Sequence, residues 1–284
     1  MHPAVDIERV VVTVTGDAIQ GRTLAAFGGK ALFCKELESA QLSGAVDAAV
    51  HSCKDVATFA PPDLMLAAVL PRDDCRDALI SRDGSLFADL APGARIGTAS
   101  VRRTAQLLSL RPDLRIAPMR GNANTRLAKL DAGLVDALVL GAAGMARIGL
   151  EQRISEVFAV DRLMPAPTQA AIVVQCRRDR PELIELLATL DDPDSRDAVE
   201  AERGFLAALG ADCNSPLAAL ATLQGDRLTL RGQALSPDGG VVHDVVESGI
   251  RAEAAQVGRA AGERLKQRAG AAFFAIANTS VTAL

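Results

Sequence analysis

Between residues 95 and 145, short apolar runs alternate with stretches of helical periodicity, and nothing else in the chain constrains its fold so strongly. Arg95-Ile96-Gly97 leads to a helix over about Ser100–Leu110. Leu114 to Pro118 leads to one over about Asn122–Leu130, and Ala137 to Leu140 to a short helix through Met145. Strands alternating with helices predict a parallel sheet with helices on both faces.

Upstream, residues 8–14 read as a β-branched strand. Gly28-Gly29-Lys30 opens a helix with Phe33, Leu37 and Ala40 on one face, ended by Gly44. Val46 to Val50 and Leu64 to Leu70 read as apolar strands, the first short and buried, and Pro71 to Arg76 as a charged connector. After Met164-Pro165-Ala166-Pro167, the strand Ala171 to Val174 returns the chain to the first unit. The last third changes character: Leu228-Thr229-Leu230-Arg231 alternates, Gly225-Asp226 and Asp238-Gly239 are turn pairs, and Ala254, Val257, Ala261 and Leu265 stripe a terminal helix. That is a small α+β unit.

A chain of 284 residues suits two or three domains. With 49% apolar and 23% charged residues it is an ordinary globular composition. Aromatics at 3%, without Trp or Tyr, and a net charge of −4 argue against a nucleic-acid platform. No apolar run approaches the roughly 20 residues of a membrane span, and the opening residues do not read as a signal peptide. Cys34, Cys53, Cys75, Cys176 and Cys213 are odd in number and form no CxxC. They predict neither a disulfide framework nor a metal site, and a cytoplasmic setting.

Between Arg95 and Lys129 stand seven Arg and one Lys against a single acid, Asp113. A solvated basic face is the plain explanation, but position argues otherwise. Arg102 and Arg103 fall in the first turn of a helix, where the dipole disfavours cations by about 0.3–1 kcal/mol each. Arg120 and Arg126 fall in a strand-to-helix loop and the turn after it. Such loops lie at the carboxyl ends of parallel strands, where open α/β sheets bind ligands. Cations gathered there point to a polyanion, with phosphate, nucleic acid and polycarboxylate all open. His51-Ser52-Cys53-Lys54-Asp55 also follows a strand. Asp55 beside Lys54 is either a surface ion pair or an acid/base whose pKa the lysine tunes. Gly28-Gly29-Lys30 resembles an anion nest. Cys213, in a loop with polar neighbours, is either an inert thiol or a reactive one.

These segments occur in the order and spacing of one family. Through GGKALFCKELE (28–38), HSCKDV (51–56), RDDCRDALIS (72–81), IGTASVRRTAQL (96–107), MRGNANTRLAKLDAG (119–133), DALVLGAAGMARIGL (136–150), MPAPTQAAIVVQCR (164–177) and AERGFLAALGADCNSPLAALA (201–221), the chain resembles the hydroxymethylbilane synthases, or porphobilinogen deaminases. The resemblance implies two periplasmic-binding-protein-like α/β domains and a small α+β third domain. It divides the chain into 1–70 with 168–190, then 71–167, then 191–284. It implies a cytoplasmic, monomeric transferase of porphyrin (tetrapyrrole) biosynthesis that deaminates four porphobilinogen molecules and joins them head to tail. The primer is a dipyrromethane cofactor bound by a thioether to Cys213. Asp55 matches the acid that handles protons and stabilises the cationic azafulvene. Arg102, Arg103, Arg120 and Arg126 match residues that clamp acetate and propionate carboxylates. Ser52, Lys54, Thr98 and Ser100 match further cofactor contacts, and Lys30 and Asp17 match residues lining or bordering the cleft. No nucleic-acid or membrane partner is implied.

The resemblance has departures. The family's opening strand and helix, with its substrate-binding arginine, have no counterpart, since His2-Pro3 already corresponds to the second β-unit. A mis-assigned start is the favoured explanation; the alternative is a truncated, impaired paralogue that binds polycarboxylates or tetrapyrroles. Thr168-Gln169-Ala170 stands where the family has Gly-Gln-Gly, and Asp212-Cys213-Asn214-Ser215 where it has Gly-Cys-Gln-Val. Both changes remove backbone freedom.

Overall fold

The structure is a computed structural model that describes residues 5–12, 34–210, 215–270 and 273–274. The chain begins with α1 (Lys35–Leu42), β1 (Ala48–Ser52), a 3₁₀ turn over Cys53–Asp55, and β2 (Leu64–Val69). There follow β3 (Asp77–Ser81), β4 (Arg95–Gly97), α2 (Val101–Leu110), β5 (Arg115–Ala117), α3 (Ala123–Asp131), β6 (Ala137–Gly141), α4 (Ala142–Arg147) and β7 (Glu156–Val157). The rest comprises β8 (Ile172–Arg177), α5 (Pro181–Ala188), α6 (Pro193–Leu209), β9 (Leu217–Gln224), β10 (Arg227–Leu235), β11 (Val242–Ile250) and α7 (Ala254–Ala269).

Three sheets organise these elements, in the orders β1-β8-β2, β5-β4-β6-β3-β7 and β9-β10-β11. In the first, β8 runs antiparallel between β1 and β2, so the apolar run after Pro167 does return to the sheet of β1 and β2. In the second, β4 is parallel to β5 and β6, but β3 is antiparallel to β6 and β7. The expected all-parallel sheet is therefore mixed. The reversed member is β3, whose apolar run Ala78-Leu79-Ile80 follows the charged connector. Alternation along β3 feeds two cores, Leu79 into one with Phe87, Leu107 and Phe158, and Ala78 and Ile80 into the other with Leu127, Leu130 and Met145. The third sheet is a meander covered by α6 and α7. Every residue of the predicted stripe Ala254, Val257, Ala261 and Leu265 is buried there. The two helices approach so closely that a Cβ on Gly258 would overlap the Ala201 carbonyl oxygen.

Two strand expectations need correction. The described part of 8–14 joins no ladder and residues 5–11 are exposed; β-branched residues favour strands only where a partner completes the hydrogen bonds. The strand near Val46 starts two residues later, and Val50 is 67% exposed, so it is not buried on both faces. No helix among the described residues is long and apolar enough to cross a membrane.

Candidate active site

Because β3 is antiparallel to β6, its first residue, Asp77, reaches the edge at which β4 and β6 end. The helix that follows β4 begins there too. Ser100 caps it, its hydroxyl accepting from the Arg103 amide, and Arg102 and Arg103 occupy its first turn as expected. Both arginines turn inward. Arg102 Nη2 donates to Asp77 Oδ2 (2.7 Å) and Nη1 to the Met164 carbonyl (2.6 Å). Arg103 Nη2 and Nε donate to Asp77 Oδ1 (2.7 and 3.1 Å), and Nη1 to the Val139 carbonyl (3.1 Å). Gln169 Nε2 adds a bond to the same oxygen (2.8 Å). Burial works to raise the Asp77 carboxyl, but the two guanidiniums overcome it and hold the acid well below the usual carboxylate range. One carboxylate against two guanidiniums still leaves a positive charge uncompensated, and Arg102 Nε is buried without an acceptor.

The anion nearest these two arginines is thus an internal one. Asp77 escaped the sequence reading, although an acid heading the apolar run Ala78-Leu79-Ile80 is a signal: such a charge needs a cation. So did Gln169, whose neighbours Thr168 and Ala170 have φ values of +60° and +71°. The strained segment is held by Glu202 of α6, fully buried, which accepts from Arg72 Nη1 (2.7 Å), from the Ala221 amide (2.8 Å) and from the Thr168 amide. Arg72 Nε also donates to the Gln169 carbonyl (2.8 Å). One carboxylate therefore joins the connector before β3, the segment before β8, and the third sheet.

Arg120 and Arg126 differ. Both are half-buried, on the β5–α3 loop and the turn that Asn122 caps. Arg126 Nε donates to the Gly121 carbonyl (2.7 Å), and neither arginine has a carboxylate partner among the described residues. Desolvation, then the charge of Arg103, lowers the Arg126 guanidinium from its ordinary value.

Ser52 ends β1, and the 3₁₀ turn after it presents Lys54 and Asp55, both exposed. Lys54 reaches water yet is hemmed in by protein. Desolvation lowers its ammonium, the charges of Arg103 and Arg102 add to this, and Asp55 and Asp77 oppose it. Lys54, just past the end of β1, thus feels the charges of the arginine pair at the start of α2. Thr98 is buried, its hydroxyl accepting from the Ser100 amide (3.2 Å) and keeping its own proton to donate. Cys213, Lys30 and Asp17 lie outside the described residues. A cavity of about 400 Å³ lies elsewhere, between α2 and the third sheet, lined by Gln106, Ser109, Arg231 and Val246.

Fold and site define an α/β protein with arginines gathered where the strands of its second sheet meet their helices, and a third, α+β unit tied through Glu202 to the segments before β3 and β8. The family model described as "Porphobilinogen deaminase, dipyromethane cofactor binding domain" matches residues 2–185, and "Porphobilinogen deaminase, C-terminal domain" matches residues 196–267. Porphobilinogen deaminase of Roseiflexus castenholzii is 46% identical over 274 residues, 96% of this chain and 90% of that one. That of Nitrobacter winogradskyi is 43% identical over 265 residues, 93% and 84% of the two chains. The aliphatic sulphonate binding protein SsuA of Escherichia coli aligns at 16% identity and a TM-score of 0.37, over 60% of this chain and 56% of that one. The chain belongs to the porphobilinogen deaminase (hydroxymethylbilane synthase) family, and is a transferase with that family's dipyrromethane-binding domain.

Proposed function

We propose that the chain is a hydroxymethylbilane synthase that deaminates four porphobilinogen molecules and joins them head to tail, on a dipyrromethane primer bound by a thioether to Cys213. The observation that carries this reading is the excess of cationic donors on the β4–α2 and β5–α3 connections: Arg120 and Arg126 without acids among the described residues, and the Asp77 pair with one charge and one buried Nε–H unanswered. A ligand with several carboxylates suits such a site. When bound, the primer supplies the nucleophilic pyrrole carbon.

In this reading Asp55 is the catalytic group. Its carboxyl gives a proton to the departing amine, which leaves as ammonia, and its carboxylate takes a proton back from the pyrrole carbon after the carbon–carbon bond forms. The acid ends as it began. A carboxylate fixed there also stabilises positive charge on the reacting ring. Arg120 and Arg126 bind substrate carboxylates, with Lys30, and Arg126 also serves the primer. Ser52, Lys54, Thr98, Ser100, Arg102 and Arg103 shape the primer site, the last two through the potential they project as much as by contact. We assign the domains as 1–70 with 168–190, 71–167, and 191–284, which β8 supports by lying between β1 and β2. The chain acts as a cytoplasmic monomer.

Intact mass of the purified chain and of Cys213→Ser, with a porphobilinogen-consumption assay, tests the proposal. The expected result is an excess of two pyrrole units on the parent alone, with turnover. An unmodified parent that consumes no porphobilinogen overturns it.

A further inference from the structure

Outside the cleft, unpaired arginines gather once more. A groove of about 370 Å³ lies between β2 and the α6–α7 pair, a volume in the range of small-molecule sites. Met65, Leu66, Val69, Val199, Ala207 and Ala255 give it an apolar lining. Four arginines also line it, and they are not equivalent. Arg196 is saturated: Nε and Nη2 donate to Asp191 (2.6 and 2.7 Å), and Nη2 and Nη1 to the carbonyls of Ala67 and Leu66. Arg178, Arg203 and Arg259 have no carboxylate partner among the described residues. Arg178 spends only Nε, on the Pro62 carbonyl (2.9 Å). Arg203 spends only Nη2, on the carbonyls of Ala57 (2.9 Å) and Thr58 (3.1 Å). The one acid lining the groove, Glu200, stands 3.9 Å from Arg196 Nη1, too far for a hydrogen bond, and desolvation raises its carboxyl. Positive charge therefore predominates over an apolar lining.

We propose that this groove binds a small organic anion, with two or more carboxylates on an apolar framework, and that its occupancy is felt in the cleft. Guanidinium forks at Arg178, Arg203 and Arg259 would take the carboxylates, and the apolar side chains the framework. An inorganic anion would use the first feature and forfeit the second. The route to the cleft is Arg203. Its two backbone acceptors lie just beyond the 3₁₀ turn that carries Lys54 and Asp55, and a carboxylate drawing on the same guanidinium changes how firmly that segment is held. This second half rests on the reading of Asp55 as the catalytic acid; the binding itself does not.

The test is a calorimetric titration of the purified full-length chain with isophthalate, an aromatic dicarboxylate, and with pyrophosphate as an anion lacking the framework. Saturable isophthalate binding is expected, tighter than that of pyrophosphate. It should weaken at least tenfold in the Arg178→Ala/Arg259→Ala double variant and persist in Arg126→Ala. No saturable binding, equal affinity in the double variant, loss in Arg126→Ala, or pyrophosphate binding as tightly overturns the site. Turnover of porphobilinogen should respond to isophthalate in the parent and not in the double variant; a parent that binds without responding overturns the coupling. If no form of the chain consumes porphobilinogen, the functional reading fails while the titration still decides the groove.

Discussion

Two pairs of arginines stand on neighbouring strand-to-helix connections of one sheet, and the protein treats them oppositely. Arg102 and Arg103 are 3% and 7% exposed and share the carboxylate of Asp77. Arg120 and Arg126 remain half-buried without an acid. Arginines alike in sequence thus do two kinds of work. The first pair spends its donors inside the chain, on Asp77 and on backbone carbonyls; the second has one bond printed for its guanidiniums among the described residues, from Arg126 Nε to the Gly121 carbonyl. The difference originates in topology: the reversed strand β3 delivers an acid to the first pair and to no other.

Removing Asp77 should break the comparison most severely. Asp77→Ala leaves two buried guanidiniums unanswered, and truncating one partner of a buried pair costs about 3–5 kcal/mol. Against a total stability of roughly 5–15 kcal/mol, urea denaturation should show a large fall in midpoint or no folded chain. Asp77→Asn keeps the shape and allows a pH test. The folded carboxyl lies below its unfolded value, so its stabilisation is complete above that value, about 3.9, and is lost as pH falls from there toward the folded pKa. The stability gap between parent and Asp77→Asn should be constant at neutral pH and narrow on acidification below about pH 4. A gap that widens instead would mean that Asp77 is not the counter-ion.

Arg126→Ala should do the reverse. With no acid to orphan, it should leave the denaturation midpoint nearly unchanged, while KM for porphobilinogen rises. A lost hydrogen bond to a charged group is worth roughly 1.5–3 kcal/mol, on the order of 10- to 150-fold. A variant that instead loses stability and keeps its KM would erase the distinction between the pairs.

How much of this contrast the sequence carries depends on the range of the interaction. Local features were legible: the helix start near Ser100, the helix-opening arginines, the turn pairs, the stripe from Ala254 to Leu265. So was the return strand, because an apolar run past Pro167 had few other places to go. What escaped was set by pairing between distant strands. Asp77 became a partner of Arg102 only because β3 runs antiparallel, and no local pattern states strand direction. Glu202 likewise sits among ordinary helix charges, yet 130 residues separate it from Arg72. The described part of the 8–14 run, residues 8–12, shows the converse: strand propensity without a ladder to join.

The smallest effect expected concerns the segment that holds Gln169 against Asp77. Thr168 and Ala170 take left-handed backbone angles, which cost a residue with a Cβ about 1–2 kcal/mol each. Ala170 gives the cleaner test, since its side chain is a single methyl and its carbonyl accepts from Arg147 Nη2 (2.9 Å) whatever that side chain is. Ala170→Gly removes the strain but gives the unfolded chain more freedom, worth about 0.4–1 kcal/mol in the other direction. The net expectation is a gain of about 0.5–1 kcal/mol, a rise of roughly 1–4 °C in Tm for a chain of this size. KM should not move, because the bond from Gln169 Nε2 to Asp77 does not depend on the strain. A rise in both stability and KM would mean that the strain does act on the arginine pair, pressing Gln169 against Asp77, and that the two pairs of arginines are coupled through this segment rather than independent.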